Sequence, residues 1–243
     1  MSKRMSNVAM VTGAGSGVGR AVAIKLAAAG WDVALAGRRI EQLDETIKLC
    51  ESKQRLIAIS CDVGNETAVR AMAKRVIDEL GDPSALVNSA GLNVPERSFA
   101  KLSNVDWRTI IDVDLNGMYY CIAAFLPGMR RAGAGTIVNV GSVAGISGNP
   151  VSGPAYVAAK FGLTGLTEAL NAEERTNGIR ACIVQPGEID TPLMEKRPVK
   201  PSAEARARML QAEDVAACVM LAIQLPMRAT VEEIVVRPTS SAL

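Results

Sequence analysis

The residues best suited to proton chemistry are a tyrosine and a lysine four positions apart, Tyr156 and Lys160, in the run S-G-P-A-Y-V-A-A-K-F-G. The 243-residue chain contains no histidine, the side chain that most often exchanges protons near neutral pH. Free tyrosine and lysine titrate near ~10 and ~10.4, so neither is a ready base by itself. One helical turn between them would put the ammonium beside the phenol and favour its ionisation. The pair could therefore exchange protons, although this spacing also arises by chance.

Short aliphatic runs alternate with helical patterns along the chain, and these elements must position the pair. The pattern predicts strands at 8–11, 32–36, 56–60, 85–88, 136–140, 180–184 and 233–236. It predicts helices at 18–29, 40–52, 66–80, 105–132, 155–176 and 212–225. Such alternation indicates one doubly wound α/β domain over residues 1–243, a Rossmann-type three-layer sandwich. Ligands bind beyond the carboxyl ends of the strands in these sheets, so functional residues should follow strands.

The composition agrees with a parallel sheet buried between helices, because 49% of the residues are apolar and few are aromatic. The net charge of +2 gives no reason to expect nucleic acid or a membrane as a partner. The polar N-terminus does not resemble a signal peptide, and we expect a soluble cytoplasmic protein. Without histidine or clustered cysteines, no metal site is expected. Five scattered cysteines are expected to be free thiols: Cys50, Cys61, Cys121, Cys182 and Cys218.

A glycine-rich turn follows the first predicted strand. Its sequence is T-G-A-G-S-G-V-G-R, residues 12–20, and a helix pattern begins within it. Such a turn lets backbone N–H groups approach a pyrophosphate at a helix N-terminus. We therefore predict a dinucleotide site, with a turn that binds no ligand as the alternative. The predicted contact residues are Gly13, Ser16, Gly17, Val18 and Gly19.

Two arginines, Arg38 and Arg39, follow the second predicted strand. A carboxylate near this position would bind the ribose 2′-hydroxyl of NAD, whereas a guanidinium fork suits the 2′-phosphate of NADP. The alternative is that both are merely solvated, but cations are unfavourable near a helix N-terminus. NADP is therefore favoured over NAD.

The motifs together resemble those of the short-chain dehydrogenase/reductase family in its single-domain form. They are T-G-A-G-S-G-V-G, C-D-V, N-S-A-G, Asn116, Ser142, Y-V-A-A-K and P-G-E-I-D-T, in the family's order and spacing over nearly the whole chain. The resemblance implies a seven-stranded parallel sheet of order 3-2-1-4-5-6-7 and a homotetramer, or a homodimer. It also implies further cofactor contacts at Asp62, Val63, Asn88, Ala90, Gly91, Tyr156, Lys160, Pro186, Gly187, Ile189 and Thr191.

The resemblance gives the reactive pair a carbonyl or an alcohol to act on. Tyr156 would protonate a carbonyl oxygen, or deprotonate an alcohol in the reverse direction, with its pKa lowered by Lys160 and an oxidised nicotinamide. Ser142 would hydrogen-bond the same oxygen. By resemblance, Lys160 also holds the nicotinamide ribose, and Asn116 anchors a water relay. Taken alone, Ser142 would be a strand-end turn residue, and Asn116 a helix irregularity.

Two motifs and the C-terminal stretch depart from the family's usual sequence. N-S-A-G replaces N-N-A-G, and Gln185 opens a Q-P-G in place of N-P-G. The C-terminal V-E-E-I-V-V-R-P-T-S-S-A-L lacks the glycine-rich ending of ketoacyl reductases. It is more similar to the family members that oxidise serine and 3-hydroxy acids. A small hydroxy or keto acid, or a related keto compound, is the favoured substrate.

Substrate specificity is expected from segments 92–99, 143–152 and 192–210. The last is Pro-broken and then helical, as a mobile lid would be. This segment has two acidic residues and five basic ones, which are Lys196, Arg197, Lys200, Arg206 and Arg208. The excess of positive charge suggests an anionic substrate.

Three other functions are less well supported by the sequence. A 3-ketoacyl reductase could dock its acyl carrier on Arg130 and Arg131, although Asn177 stands where such enzymes tend to have arginine. A non-enzymatic NADP sensor would not need the intact Tyr–Lys pair. An extended epimerase or dehydratase would need a longer C-terminal region.

Overall fold

The computed structural model describes residues 7–239. The N-terminal stretch that bears on a signal peptide, residues 1–6, lies outside them, as do residues 240–243. Seven parallel strands form one sheet in the order 3-2-1-4-5-6-7, which confirms the expected Rossmann-type topology. The strands are β1 Val8–Thr12, β2 Asp32–Gly37, β3 Leu56–Ser60, β4 Ala85–Asn88, β5 Gly135–Val140, β6 Ile179–Pro186 and β7 Glu233–Val236.

Helices cover both faces of the sheet. They are α1 Gly17–Ala28, α2 Ile40–Leu49, α3 Glu66–Leu80, α4 Asn104–Ile111, α5 Gly117–Ala132, α6 Pro154–Glu174, α7 Ala203–Arg206 and α8 Ala212–Gln224. One core cluster lies between the sheet and α1 with α8, and the other lies between the sheet and α3 with α5. β1, β4, β5 and β6 are buried along their lengths, so near-continuous apolar strands are expected there.

The single long helix predicted over 105–132 is interrupted. A π-helical turn, Asp112–Asn116, separates α4 from α5. A Cβ on Gly117 would lie 2.9 Å from the Val63 carbonyl oxygen, so only glycine allows the chain to pass so close to the end of β3. A π-turn inserts one residue and rotates the side chains around it. This rotation decides which side chain of the segment faces the site.

The combined helical run Asn104–Ala132 is long and apolar enough to cross a membrane by length and composition alone. Its inner face packs into the core through Cys121, Phe125 and Met129. A core helix of an α/β domain passes the same test.

Arg180 joins β6 to the end of α8. Its buried guanidinium uses all five N–H groups, donating to Thr136 Oγ1 at 3.0 Å and to four backbone carbonyls. Those carbonyls belong to Ile223, Leu225, Pro226 and Ala229, at 2.6–3.0 Å. The C-terminal carbonyl end of a helix carries partial negative charge, which compensates the buried cation.

We expect Arg180→Met to lower the free energy of unfolding by roughly 3–5 kcal/mol, because several buried carbonyls lose their donor. Arg175→Met is the matched control. Arg175 is largely exposed and pairs with Glu232, so the change should stay within about 1 kcal/mol. Chemical denaturation measures both, and equal losses would contradict the structural role of Arg180.

Candidate active site

A cleft of about 640 Å³ crosses the carboxyl ends of the strands. It extends from Arg38 and Arg39 at the end of β2 to Tyr156 on α6. All but two of the predicted site residues line it: Gly13, Ser16, Gly17, Val18, Gly19, Arg38, Arg39, Asp62, Val63, Ala90, Gly91, Ser142, Tyr156, Lys160, Pro186, Gly187, Ile189 and Thr191. The exceptions are Asn88 and Asn116.

The glycine turn is built for close backbone approach. Gly13 has φ +66°, and a Cβ there would lie 2.8 Å from the Ala90 backbone nitrogen. A Cβ on Gly19 would lie 2.4 Å from the Gly13 carbonyl oxygen, so α1 begins directly against the turn. Ser16 precedes α1, yet its side chain makes no capping hydrogen bond. The helix N-terminus and this hydroxyl therefore face the cleft as an anion-binding surface.

Arg38 and Arg39 are exposed at the same end of the cleft. Neither forms an ion pair with any carboxylate among residues 7–239. Arg39 immediately precedes α2, whose N-terminus disfavours a positive charge. The two guanidiniums are available to an anionic ligand in the cleft.

Tyr156, Lys160 and Ser142 meet at the other end. The Tyr156 hydroxyl is hydrogen-bonded to Ser142, and Lys160 Nζ lies 5.4 Å from the centre of the tyrosine ring. Lys160 Nζ also donates to the Val140 carbonyl at 3.2 Å, which ties it to the end of β5. Ser142 follows β5 and caps a short 3₁₀ turn by accepting from the Ala144 N–H at 3.2 Å. The strand end and one helical turn together fix the constellation.

The pKa of Tyr156 is raised in the protein alone, whereas the lowering expected from the sequence included the charge of an oxidised nicotinamide. Burial raises it most, and the carboxylate of Asp114 adds to the increase. Lys160 and the Ser142 hydrogen bond act in the expected direction and lower it. Desolvation of a phenolate is costly, and one neighbouring ammonium does not offset it here.

Asp114, a residue that sequence reasoning missed, occupies the position beside Lys160. Its Oδ2 lies 3.8 Å from Lys160 Nζ, and its Oδ1 accepts from the Leu92 N–H at 2.8 Å. The carboxyl group is completely buried, and Oδ2 makes no hydrogen bond. Burial raises its pKa to about 6, although Lys160 and the Leu92 N–H lower it. The signal in the sequence was a lone acid within an otherwise apolar helical face.

Asn116 lies elsewhere. Its Nδ2 donates to Asp112 Oδ1 at 2.9 Å, one turn back on its own helix, and it does not line the cleft. Asp114 and Asn116 are two residues apart, which on a helix is more than half a turn, so their side chains point in different directions. The structure therefore brings Asp114, and not Asn116, to Lys160.

Asn88 and Gln185 connect the ends of the strands that carry the site residues. Asn88 is buried and donates to Asn139 Oδ1 at 2.9 Å, which links the ends of β4 and β5. Gln185 accepts from the Ser142 N–H at 3.3 Å and donates to Glu233 at 2.9 Å. The unusual glutamine thus connects Ser142 to β7.

Three of the five basic residues in segment 192–210 form ion pairs with carboxylates. Arg197 pairs with Glu188 at 2.8 Å, and Lys200 pairs with Glu195 at 3.0 Å. Arg206 contacts both Asp190 and Glu195. Glu188 and Asp190 lie just before the segment, so counting charges within 192–210 overlooked them. The excess of basic residues in this segment therefore does not by itself indicate an anionic substrate.

No group of three or more Cys, Asp or Glu side chains within residues 7–239 is arranged to hold a metal ion. The five cysteines are free, and burial raises the thiol pKa of each, to about 11 for Cys61.

Comparison with known sequences agrees with this fold and cleft. The sequence profile described as short chain dehydrogenase matches residues 7–201. The chain belongs to the short-chain dehydrogenase family, whose named relatives are dehydrogenases and reductases of alcohol and carbonyl groups.

Two curated relatives are each 36% identical to the chain. A 3β-hydroxysteroid dehydrogenase from Mediterraneibacter gnavus aligns over 212 residues, 87% of this chain and 75% of its own. Sulfoacetaldehyde reductase 2 from Chromohalobacter salexigens aligns over 248 residues, 98% and 96% of the two chains. Among solved structures, the closed form of a serine dehydrogenase complexed with NADP⁺ superimposes with a TM-score of 0.89 at 28% identity, covering 97% and 96%.

We expect Asp114→Asn to change how stability depends on pH. The folded-state pKa of about 6 lies above the ordinary 3.8, so the native state holds this proton more tightly than the unfolded chain. This contribution is full below pH ~4 and is lost as the pH rises through ~6, a loss on the order of 3 kcal/mol. The asparagine at this position cannot ionise, so the free energy of unfolding of the variant does not show that loss.

Denaturant titrations of both proteins at several pH values between 4 and 7.5 measure the difference. Relative to the variant, the wild-type free energy of unfolding should fall across this window. Two parallel curves would show that Asp114 does not titrate as described.

Proposed function

We propose that the chain is an NADP(H)-dependent oxidoreductase that interconverts a carbonyl compound and an alcohol. Its substrate is a small hydroxy or keto acid, or a related keto compound. One observation carries the proposal. A single cleft holds the glycine turn and the two arginines at one end, and Tyr156, Ser142 and Lys160 at the other.

The residues fit a dinucleotide. The glycine turn and the free Ser16 hydroxyl suit a pyrophosphate, while Asp62 and Val63 line the cleft after β3, where the adenine would lie. Arg38 and Arg39 lie where a 2′-phosphate would extend, and their positive charge favours NADP over NAD. The NADP⁺ held by the structurally similar serine dehydrogenase supports the same cofactor.

The nicotinamide supplies or accepts the hydride when it is bound, and the chain's own residues manage the proton. Tyr156 protonates the carbonyl oxygen in reduction and takes the proton back in oxidation. Ser142, already hydrogen-bonded to the phenol, donates to the same substrate oxygen and orients it. Lys160 stabilises the phenolate by its charge, and its fixed contact with Val140 keeps it near the ring.

Asp114, rather than Asn116, supports Lys160. It contacts Lys160 and the Leu92 backbone at once, so it positions the ammonium relative to the loop after β4. Because its negative charge raises the pKa of Tyr156, it also favours the protonated phenol that carbonyl reduction requires.

The alternatives receive less support. Arg130 pairs with Glu174, and Arg131 pairs with Asp82 at 3.0 Å, so the cations considered for an acyl carrier are already engaged. A sensor that only binds NADP has no need for the aligned Tyr156, Ser142 and Lys160. Turnover of any substrate would exclude the sensor function.

The cytoplasmic location and the homotetramer, or homodimer, remain proposals. Exposed Val105, Tyr119 and Phe161 on α4, α5 and α6 offer an apolar surface for assembly.

The test of function is a purified-protein assay that follows absorbance of the reduced cofactor. β-Ketoesters, 3-hydroxy acids, serine and simple diketones would be offered with NADPH and with NADH. We expect Tyr156→Phe to lower kcat by roughly 10²–10⁴-fold, because it removes the transferred proton. NADPH binding, followed by its fluorescence, should be unchanged. A native rate in this variant would exclude Tyr156 as the acid, and tight NADPH binding without turnover of any substrate would favour the sensor.

We expect Arg38→Ala to weaken NADPH binding roughly 10–100-fold, because a charge-assisted contact to the 2′-phosphate is lost. NADH binding should change little, since NADH lacks that phosphate. Fluorescence titration measures both constants. Arg70→Ala, which removes an exposed arginine of α3 paired with Glu66, is the control. A wild-type preference for NADH would exclude the role given to Arg38.

A further inference from the structure

Arg97 is a nearly buried arginine in the wall of the cleft, 7% exposed. Its Nε donates to the Val94 carbonyl at 2.6 Å, and one terminal nitrogen donates to the Val151 carbonyl at 3.3 Å. The other terminal nitrogen donates to the Lys196 carbonyl. These acceptors belong to the three segments expected to set substrate specificity, so Arg97 lies where they converge.

The charge of Arg97 is not balanced. A guanidinium has five N–H donors, and three of them are used, all by neutral carbonyls. No carboxylate among the described residues lies within ion-pair distance of it. Arg180, which is also nearly buried, differs because all five of its donors are used and it lies at a helix C-terminus. Burying an unpaired charge is costly, so a site that keeps one has a use for it.

A second guanidinium lies near the first. Arg197 also lines the cleft and pairs with Glu188 at 2.8 Å. Burial lowers the pKa of Arg97 and the charge of Arg197 lowers it further, whereas Tyr156 raises it. Of these two neighbouring cations only Arg197 pairs with a carboxylate, and Arg97 lies within electrostatic reach of the phenol proposed to transfer the proton.

We propose that Arg97 binds the anionic group of the substrate, a carboxylate or a sulfonate, and so orients its carbonyl toward Tyr156. The inference rests on the proposed function and narrows it to short keto or aldehyde substrates, or the corresponding alcohols, that carry a negative charge. The two unused N–H groups match the two oxygens that such anions present, and the planar fork makes this contact directional. The three carbonyl contacts hold the fork in place before the substrate arrives, which reduces the cost of ordering it.

The test compares substrates that differ in one charge. Acetoacetate and its methyl ester form the carboxylate pair, and sulfoacetaldehyde and acetaldehyde form the sulfonate pair. We expect Arg97→Met to lower kcat/KM for the charged member of the effective pair by roughly 10–100-fold. The neutral member should change less than about threefold. Arg97→Lys, which keeps the charge but loses the fork, should recover part of the loss.

Arg206→Met is the matched control. It removes a lid arginine that already pairs with Asp190 and Glu195 and does not line the cleft. The ratio of charged to neutral substrate should be unaffected by this change. Thermal melting and NADPH fluorescence establish that each variant is folded and binds the cofactor.

The outcomes separate this inference from the proposed function. If Arg97→Met lowers kcat/KM equally for the charged and neutral substrates, Arg97 only connects the three segments that it hydrogen-bonds, and the inference is overturned. If the wild type reduces the neutral members at least as well as the charged ones, the inference fails while the proposed function stands.

If no substrate is reduced, the proposed function fails, and calorimetric titration of the NADP⁺-loaded protein with acetoacetate and with ethanesulfonate decides the inference. Saturable binding that Arg97→Met abolishes supports it. Absence of saturable binding of either anion overturns it.

Discussion

The site depends on one constraint, which is that the ammonium of Lys160 must be kept buried and charged beside the phenol of Tyr156. The Val140 carbonyl at the end of β5 accepts one of its protons, Asp114 supplies a negative charge at 3.8 Å, and the tyrosine ring lies 5.4 Å away. Each partner comes from a different element. A buried cation with fewer partners would be strongly disfavoured, so the π-turn before α5, the end of β5 and the first turns of α6 must be correctly placed together.

Positive charge is distributed along the cleft according to its surroundings. Arg38 and Arg39 are exposed at the dinucleotide end, where water screens them until an anion binds. Arg97 is buried at the opposite end, where a low dielectric makes its unbalanced charge a stronger attraction for an anion. Most basic residues of segment 192–210 are already paired with acids and contribute little to either end. Two binding functions on a nearly neutral chain can thus arise from the placement of a few charges.

Several features could be predicted from the sequence because they depend on local patterns. The alternation of aliphatic strands and amphipathic helices indicates a doubly wound parallel sheet, and the family resemblance implies its strand order. Six of the seven predicted strands agree with the observed ones to within one residue at each end, and β6 extends two residues further to include Gln185. The glycine turn, the arginine pair and Tyr156 with Lys160 were also recognisable, since each motif is contiguous or one helical turn long. Asp114 was not, because a π-turn shifts the helical register between residues 112 and 116.

The sequence by itself determined the fold, the position of the cleft and the residue types that face its two ends, because these follow from hydrophobic period and from what comes after each strand. Only the tertiary structure decided the electrostatics. It brought Asp114 rather than Asn116 to Lys160 and raised the pKa of Tyr156 by burial. It also paired Arg197 and Arg206 with Glu188 and Asp190, which lie just before segment 192–210, and left Arg97 without a counter-ion. Charge interactions depend on distance and burial in three dimensions, and neither quantity is written in the order of the residues.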